Sequence, residues 1–315
     1  MIQAKLLSIV VPLYNEQENV PILVDKIVTE VSGGPFDFEV ICVDDGSSDD
    51  TFDVLKDLAH ENKHLKVIKF RKNCGQTPAM VAGIKHALGD VVVTMDGDLQ
   101  NDPSDIRTLV AKIDEGYDIV VGWRYKRQDK LISRKIPSVI ANWIIGKVTG
   151  VPIKDNGCSL KAYRAEIIKS VPLYSEMHRF IPAMASITGS KIAQVRVKHH
   201  ARQFGESKYG LSRVYKVIID LMTIKMISSF KAKPLVWFSF AAIVPILIFM
   251  LISVLYLLML FMGHSISPLV LPGVSALSLL LAVFLFFNGA LAELIYKTGN
   301  MDIYKLRMLT ATEEH

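Results

Sequence analysis

The chain has 315 residues, half of them hydrophobic, and a formal net charge of +5. That hydrophobic share is high for a wholly water-soluble protein, and it is unevenly placed: from Pro234 to Ala292 there is no Asp, Glu, Lys or Arg. The positive balance does not point to nucleic acid, since no recognition helix, zinc-ligand set or interleaved aromatic ribbon accompanies it. Cys42, Cys74 and Cys158 make no CxxC pair and no even-numbered framework, which suits a reduced, cytosolic domain.

In chain order, the first apolar run, Leu6 to Leu13, is too short for a signal sequence and is closed at once by Tyr14, Asn15 and Glu16. It reads as a buried strand, Leu6–Val11, followed by a helix from about Glu18 to Val31. The pattern then predicts strand Phe38–Val43, helix Thr51–Glu61, strand Leu65–Phe70, helix Thr77–Ala87 and strand Val91–Met95. Strands that are apolar throughout, alternating with helices, argue for an α/β fold with a mostly parallel sheet covered on both faces.

Such sheets bind ligands beyond the carboxyl ends of their strands. Four polar clusters fall there: residues 12–16 (Pro-Leu-Tyr-Asn-Glu), 44–49 (Asp-Asp-Gly-Ser-Ser-Asp), 71–76 (Arg-Lys-Asn-Cys-Gly-Gln) and 96–100 (Asp-Gly-Asp-Leu-Gln). Ser48 and Asp49 of the second, with Thr51 just after it, also read as a helix cap. The absence of GxGxxG after the first strand and of GxxxxGK[ST] anywhere argues against a dinucleotide oxidoreductase or a P-loop NTPase. Asp96 and Asp98, spaced Asp-x-Asp on a turn, can instead offer hard oxygens to Mg²⁺ or Mn²⁺ and leave coordination sites for a diphosphate.

The segments VVPLYNE, VDDGSSDDT, NCGQ, MDGDLQNDP, VGWR, DNGCSLKAYR and RQFGESKYGLSR, spanning Leu7 to about Arg213, together resemble the family 2 glycosyltransferases of the GT-A (Rossmann-like) fold. Within that family the chain is similar to the polyprenyl-phosphate glycosyltransferases, such as bactoprenol glucosyltransferases and dolichol-phosphate mannose synthases. The resemblance implies metal-dependent, inverting transfer of a hexose to undecaprenyl (polyprenyl) phosphate. It favours UDP-glucose as donor, with GDP-mannose as the alternative. It further implies that Pro12, Tyr14 and Glu16 line the nucleotide pocket, that Asp44 and Asp45 hold base and ribose, and that Gln76, Asp96, Arg202 and Lys208 contact the nucleotide sugar. Gln100 would join Asp96 and Asp98 on the metal. Arg124, Arg134 and Ser138 would hold the acceptor phosphate, and Asp155 would touch the donor sugar or orient the acceptor, an Asx turn being its plainer reading. Asp96, Asp98, Asp155 and Arg124 are thus the expected catalytic set.

A phosphate monoester is already anionic near pH 7, its second pKa being about 6. Such an acceptor needs cations more than a general base, and Arg suits bidentate phosphate contacts. A processive polysaccharide synthase is disfavoured, because Gln194 is followed by Val195, Arg196 and Val197 rather than by a Gln-x-x-Arg-Trp motif. A non-catalytic sugar-nucleotide-binding scaffold is disfavoured by the intact Asp-x-Asp.

Two apolar runs, Leu235 to Met262 and Leu269 to about Ala292, flank residues 263–268. Each exceeds the roughly 20 helical residues that cross a ~30 Å hydrocarbon core, with Pro245 and Pro272 expected as kinks. Basic flanks at Lys216, Lys225, Lys231, Lys233, Lys297, Lys305 and Arg307 place both termini on the cytoplasmic side of the inner membrane. The expected layout is a glycosyltransferase domain over 1–210, amphipathic juxtamembrane helices over 211–233, two spans within 234–296 and a tail over 297–315. Stripes at Ile132, Ile136, Val139, Ile140, Trp143 and Ile144, and at Leu211, Val214, Ile218, Leu221 and Met222, suit packing on a core, on a second copy in a homo-oligomer or on lipid.

Overall fold

Strand β1 (Leu6–Leu13) buries seven of its eight residues, because it runs through the middle of a sheet covered on both faces. The computed structural model describes residues 6–125, 142–143, 145–147, 149–171, 173, 177–186, 189–202, 204, 222, 233–263 and 269–298. β1 pairs in parallel with β2 (Asp37–Asp44) on one side and β4 (Val91–Thr94) on the other, and β3 (Leu65–Lys69) extends the parallel set beyond β2. Leu7, Ile9, Val11 and Leu13 face α1 (Asn19–Val31), α2 (Thr51–Glu61) and α4 (Ile106–Asp114), while Val10 faces α3 (Gln76–His86). Each fully buried Leu, Ile or Val contributes roughly 1.5–3 kcal/mol, so these two layers are what hold the strand ends in place.

The predicted parallel order is completed by a mixed region. The seven strands run β3-β2-β1-β4-β6-β5-β7, with β6 (Lys161–Arg164) antiparallel to both β4 and β5 (Ile119–Arg124), and β7 (Ile192–Val197) parallel to β5. After β6 come α5 (Ala165–Ser170), a 3₁₀ turn at Met177–Arg179 and α6 (Ile181–Ser186), which pack on the α3 face. Two features of this topology position the site. The chain leaves β1 in one direction for β2 and returns on the other side for β4, so the crevice of the switch opens between the carboxyl ends of β1 and β4. Being antiparallel, β6 brings its amino end to that crevice, with Lys161 opposite Thr94.

The two long helices, α7 (Pro234–Phe261) and α8 (Val270–Thr298), belong to a second compact unit. Both are long and apolar enough to cross a membrane, with mean hydropathies of 2.9 and 2.4. They meet through small and polar residues: Ala242, Ser275 and Ala282 are buried, and the Ser253 and Ser275 hydroxyls lie 2.7 Å apart. A Cβ on Gly289 would sit 2.6 Å from the Cβ of Phe238, so only glycine permits this approach. The Glu293 carboxylate accepts the Leu235 N–H at 3.3 Å, serving an amide that the helix start leaves without an intrahelical partner. Large apolar side chains such as Phe240, Leu251, Phe261 and Phe287 point outward. Pro245 lies inside α7 as expected, but the expectation of a kink at Pro272 is corrected: Pro272 falls in the first turn of α8, where no intrahelical amide donor is required.

Candidate active site

At the end of β4 the chain makes a tight turn through Asp96, Gly97, Asp98 and Leu99. A Cβ at Gly97 would press on the buried Leu13 side chain of β1, so a larger residue there would force Leu13 to shift. Leu99 takes a left-handed φ of 59°, uncommon for a non-glycine residue, and is buried beneath the turn. The Gln100 N–H donates to Asp98 Oδ1 at 3.2 Å. Asp96 Oδ1 accepts from Nε2 of Gln76, the first residue of α3, at 2.7 Å, and Asp98 Oδ2 accepts from Arg202 Nη2 at 2.6 Å. Burial, then the charge of Asp96, push the Asp98 carboxyl up to about 6 against the pull of Arg202, with Glu16 adding to the rise. Two carboxylates in this position call for positive charge.

Arg202 is delivered by a strip that continues from β7 along the acidic turn. Asn101 and His199 form an isolated β-bridge, His200 N–H donates to the Gln100 carbonyl at 2.9 Å, and Lys198 N–H donates to Asp105 at 2.7 Å. The His200 ring lies 2.9 Å from Asp102 Oδ2, and Asp102 also accepts the Ser104 N–H to cap the 3₁₀ turn Pro103–Asp105. Burial raises Asp102, but hydrogen bonds from Ser104 and His200 and the charge of Lys198 outweigh it and hold the carboxyl at about 2.

The acidic pair at the end of β2 is differently employed. Asp45 accepts the N–H groups of Cys74 and Gly75 at 2.7 and 2.8 Å and Nδ2 of Asn73 at 3.0 Å, fastening the loop that leads to Gln76. Burial raises its pKa, with Asp44 adding and the two amides opposing. Asp44 Oδ1 accepts the Ser47 N–H at 3.1 Å; its buried Oδ2 has no hydrogen-bond partner among the described residues. Tyr14 and Glu16 are half-buried beside this end of the sheet, while Pro12 is buried within β1 opposite Val43. Asp49 accepts the N–H and hydroxyl of Thr51 just before α2, while the residue at the N-cap itself, Asp50, makes no side-chain cap.

At the end of β5, Arg124 forms a two-pronged pair with Asp155, Nε to Oδ2 at 2.7 Å and Nη2 to Oδ1 at 2.8 Å, and its backbone N–H adds a third bond at 3.3 Å. Both side chains are largely buried. The structure therefore unites two expected site residues in one ion pair that ties β5 to the segment entering β6. Arg134, Ser138 and Lys208 lie outside the described residues. Three residues given no role from the sequence also stand at the site. Lys161 is buried at the start of β6, His178 Nδ1 lies 2.7 Å from the Thr77 hydroxyl, and Arg179 adjoins them. A charged residue placed between apolar neighbours in a strand, as in Leu160-Lys161-Ala162, was the available signal for Lys161.

A mixed sheet of this order, with paired carboxylates on the turn after β4, is the GT-A fold of nucleotide-sugar-dependent transferases. Residues 8–171 match the family model described as glycosyl transferase family 2. Over 307 residues the chain is 43% identical to the dodecaprenyl-phosphate galacturonate synthase of Rhizobium johnstonii, covering 96% of this chain and 90% of that one. The protein belongs to glycosyltransferase family 2. Among solved structures it is similar in fold to glucosyl-3-phosphoglycerate synthase of Mycobacterium tuberculosis. The complex of that protein with Mn²⁺, UDP-glucose and phosphoglyceric acid gives a TM-score of 0.55 at 18% identity, covering 71% of this chain and 79% of that one. Its complex with Mn²⁺, UDP and glucosyl-3-phosphoglycerate gives 0.54 at 18%, covering 71% and 80%.

Proposed function

We propose that this glycosyltransferase moves a hexosyl residue from a nucleotide diphosphate sugar to a polyprenyl phosphate in the bilayer, with inversion, at the cytoplasmic face of the inner membrane. The observation that carries the reading is the acidic turn of Asp96 and Asp98, braced by Gln76 and Arg202, in a chain that also bears two membrane-length helices. The named product of the Rhizobium relative, a polyprenyl-phosphate sugar, supports the acceptor.

The donor set fits a divalent ion shared with substrate. Among the described residues no cluster of three or more His, Cys, Asp or Glu exists that could hold a metal by itself. The turn supplies two carboxylates, pressed together and partly buried, and Gln100 is the third candidate. Mg²⁺ or Mn²⁺ held there would neutralise charge on the departing nucleoside diphosphate. Arg202 covers the diphosphate from the other side, and Lys208 is the further cation expected from the sequence. Asp44, Asp45, Tyr14, Glu16 and Pro12 form the base and ribose end. Arg124 keeps Nη1 free of hydrogen bonds among the described residues while Asp155 fixes its plane, which suits it to meet an acceptor phosphate together with Arg134 and Ser138. A phosphate oxygen then bonds to the anomeric carbon as the bond from that carbon to the diphosphate breaks, and no proton need be removed.

The resemblance favours UDP-glucose and the relative's name favours a galacturonate donor, so the test uses both. Full-length enzyme in defined bilayers is given radiolabelled UDP-glucose, UDP-galacturonate or GDP-mannose, with undecaprenyl phosphate or undecaprenol. The expected result is a labelled lipid from the phosphate alone, abolished by EDTA and restored by Mg²⁺ or Mn²⁺. Equal transfer to the free alcohol, or no lipid product from any donor, overturns the reading. Protease protection of tagged termini tests the orientation, with both expected on the cytoplasmic side.

A further inference from the structure

The β7 edge of the sheet carries a cluster of aromatic rings and cations that the candidate active site does not use. Trp123 near the end of β5 and Tyr125 just beyond it project to the same side, their rings meeting edge to face at 5.1 Å. Arg196, the register partner of Trp123 on edge strand β7, holds its guanidinium 4.4 Å from the centre of the Tyr125 ring and 5.4 Å from that of Trp123. Lys154 Nζ stands 4.2 Å from the Trp123 ring centre. The Gln194 side chain fixes it there, accepting the Lys154 N–H at 2.8 Å and donating to the Pro152 carbonyl at 3.0 Å. A further pair continues the cluster. Lys147 Nζ lies 5.2 Å from the Trp143 ring centre, and Asn142, next to Trp143 in the chain, donates to the Lys154 carbonyl at 3.0 Å.

Tyr125 is 53% and Trp143 64% exposed, and Lys147, Lys154 and Arg196 are all exposed. Cation–π contacts occur about once per 70–80 residues, so four of them on three neighbouring rings exceed the ordinary background. Rings left open to water forgo the stabilisation that a core would give, and an exposed group of them marks a surface for a partner. Among the described residues no carboxylate forms an ion pair with any of the three cations. The next acid in the chain, Asp155, is turned inward onto Arg124. Unpaired cations call for negative charge, and half-exposed Trp and Tyr rings suit a boundary between polar and apolar surroundings. A bilayer surface with anionic headgroups offers both. Nucleic acid fits less well, because base stacking needs open ring faces and these have cations over them.

We propose that this edge, with Trp123, Tyr125 and Trp143 among Lys147, Lys154 and Arg196, docks the catalytic domain on the anionic surface of the bilayer. The rings enter the headgroup layer and the cations meet lipid phosphates. Each cation near such a surface strengthens attachment by roughly fivefold, and the two membrane-length helices of the same chain keep the surface within reach. Arg124 alternates with Trp123 and Tyr125 along one segment and faces the opposite side. Docking therefore brings the cation proposed for the acceptor to the level of lipid phosphates. The docking rests on the membrane-bound reading above and is independent of which lipid accepts the sugar.

The experiment uses full-length protein carrying Trp143→Phe and Trp237→Phe, which leaves Trp123 as the sole tryptophan. It is placed in nanodiscs of phosphatidylcholine, with or without phosphatidylglycerol, and Trp123 emission is quenched by acrylamide from the water or by a lipid with a nitroxide on its headgroup. Anionic discs should lower acrylamide quenching severalfold relative to neutral discs and raise quenching by the lipid nitroxide. Lys154→Glu with Arg196→Glu should reverse both effects. So should about 1 M salt in the protein without these two changes, since the Debye length is then only about 3 Å; this arm needs no charge variant to fold. Equal acrylamide quenching in both discs, with none from the lipid nitroxide, overturns the proposal. Shielding from acrylamide without nitroxide quenching also overturns it, by assigning the edge to a protein contact. Nitroxide quenching indifferent to salt and to charge reversal removes the cations from the contact and overturns it as well. Transfer assays on the same discs keep the two readings apart. A docked protein that makes no lipid product would break the acceptor reading and leave the docking standing, while an undocked wild type that makes it would do the reverse.

Discussion

The ends of β2 and β4 each carry two aspartates beside the same crevice, yet the protein treats the pairs in opposite ways. At β2, Asp45 is filled by two backbone amides and an asparagine, so its charge serves to hold the loop before α3. At β4, Asp96 and Asp98 receive only one side-chain donor each in the bonds described above, from Gln76 and Arg202, and they raise each other's energy. Residue type and position along a strand do not separate a scaffold carboxylate from a reactive one. Asp45 differs from Asp98 in taking two backbone amides and an asparagine from one loop, where Asp98 takes one backbone amide and a guanidinium.

Substitution should separate the pairs most strongly at Asp98. Asp98→Ala is expected to lower kcat by on the order of 10³-fold or more, since several kcal/mol of charge stabilisation at the leaving group go with it. Its melting temperature should fall little, because a buried, repelled carboxylate is removed. EDTA should imitate the loss in wild type; full activity of the mutant in excess chelator would refute the assignment.

Next in size is the Arg124–Asp155 pair. Arg124→Met takes from the buried Asp155 carboxylate its two-pronged guanidinium partner and should cost about 3–5 kcal/mol in urea unfolding of the catalytic domain. Arg124→Met with Asp155→Leu should recover much of that stability but no activity. Equal destabilisation by the double variant would show that the pair is not the reason.

Asp45→Asn sharpens the contrast from the scaffold side. Loss of charge-assisted bonds to the loop should cost about 2–3 kcal/mol of stability and raise the donor KM, with an unchanged response to metal concentration. A change confined to the metal response would merge the two pairs into one function.

The smallest effect concerns the strip that carries Arg202. The folded pKa of Asp102 is depressed to about 2, against roughly 3.9 in an unfolded chain. Its contribution is therefore present above pH 4 and is lost as pH falls from about 4 to 2. Exposed partners at His200 and Lys198 limit it to about 1–2 kcal/mol. Asp102→Asn should flatten that part of the stability profile, measured by thermal melts across the acid range.

The parallel half of the sheet was legible because β1, β2 and β4 are apolar runs ended by Gly, Asp and Asn, and each boundary fell within about two residues of the structure. The other half was not. β6 is four residues, Lys161 to Arg164, with a charge at either end, and β7 is a half-buried edge strand reading Ile-Ala-Gln-Val-Arg-Val. Such segments become strands only because neighbours offer hydrogen bonds, which a local pattern does not contain. The same applies within the site. The Asp-x-Asp turn announced itself by spacing, whereas the partnership of Arg124 with Asp155 and the burial of Lys161 depend on an antiparallel strand that spacing did not reveal.

The apolar hairpin has a property that follows from its two polar contacts. Glu293 meets the amide of Leu235 at one end of the helix pair, and Ser253 meets Ser275 farther along. Together they act as keys cut at two depths. Sliding one helix past the other by a single turn, about 5.4 Å, would break both at once and lift Phe238 out of the notch left by Gly289. Piston-like movement between α7 and α8 would therefore cost both hydrogen bonds and the Phe238 packing together.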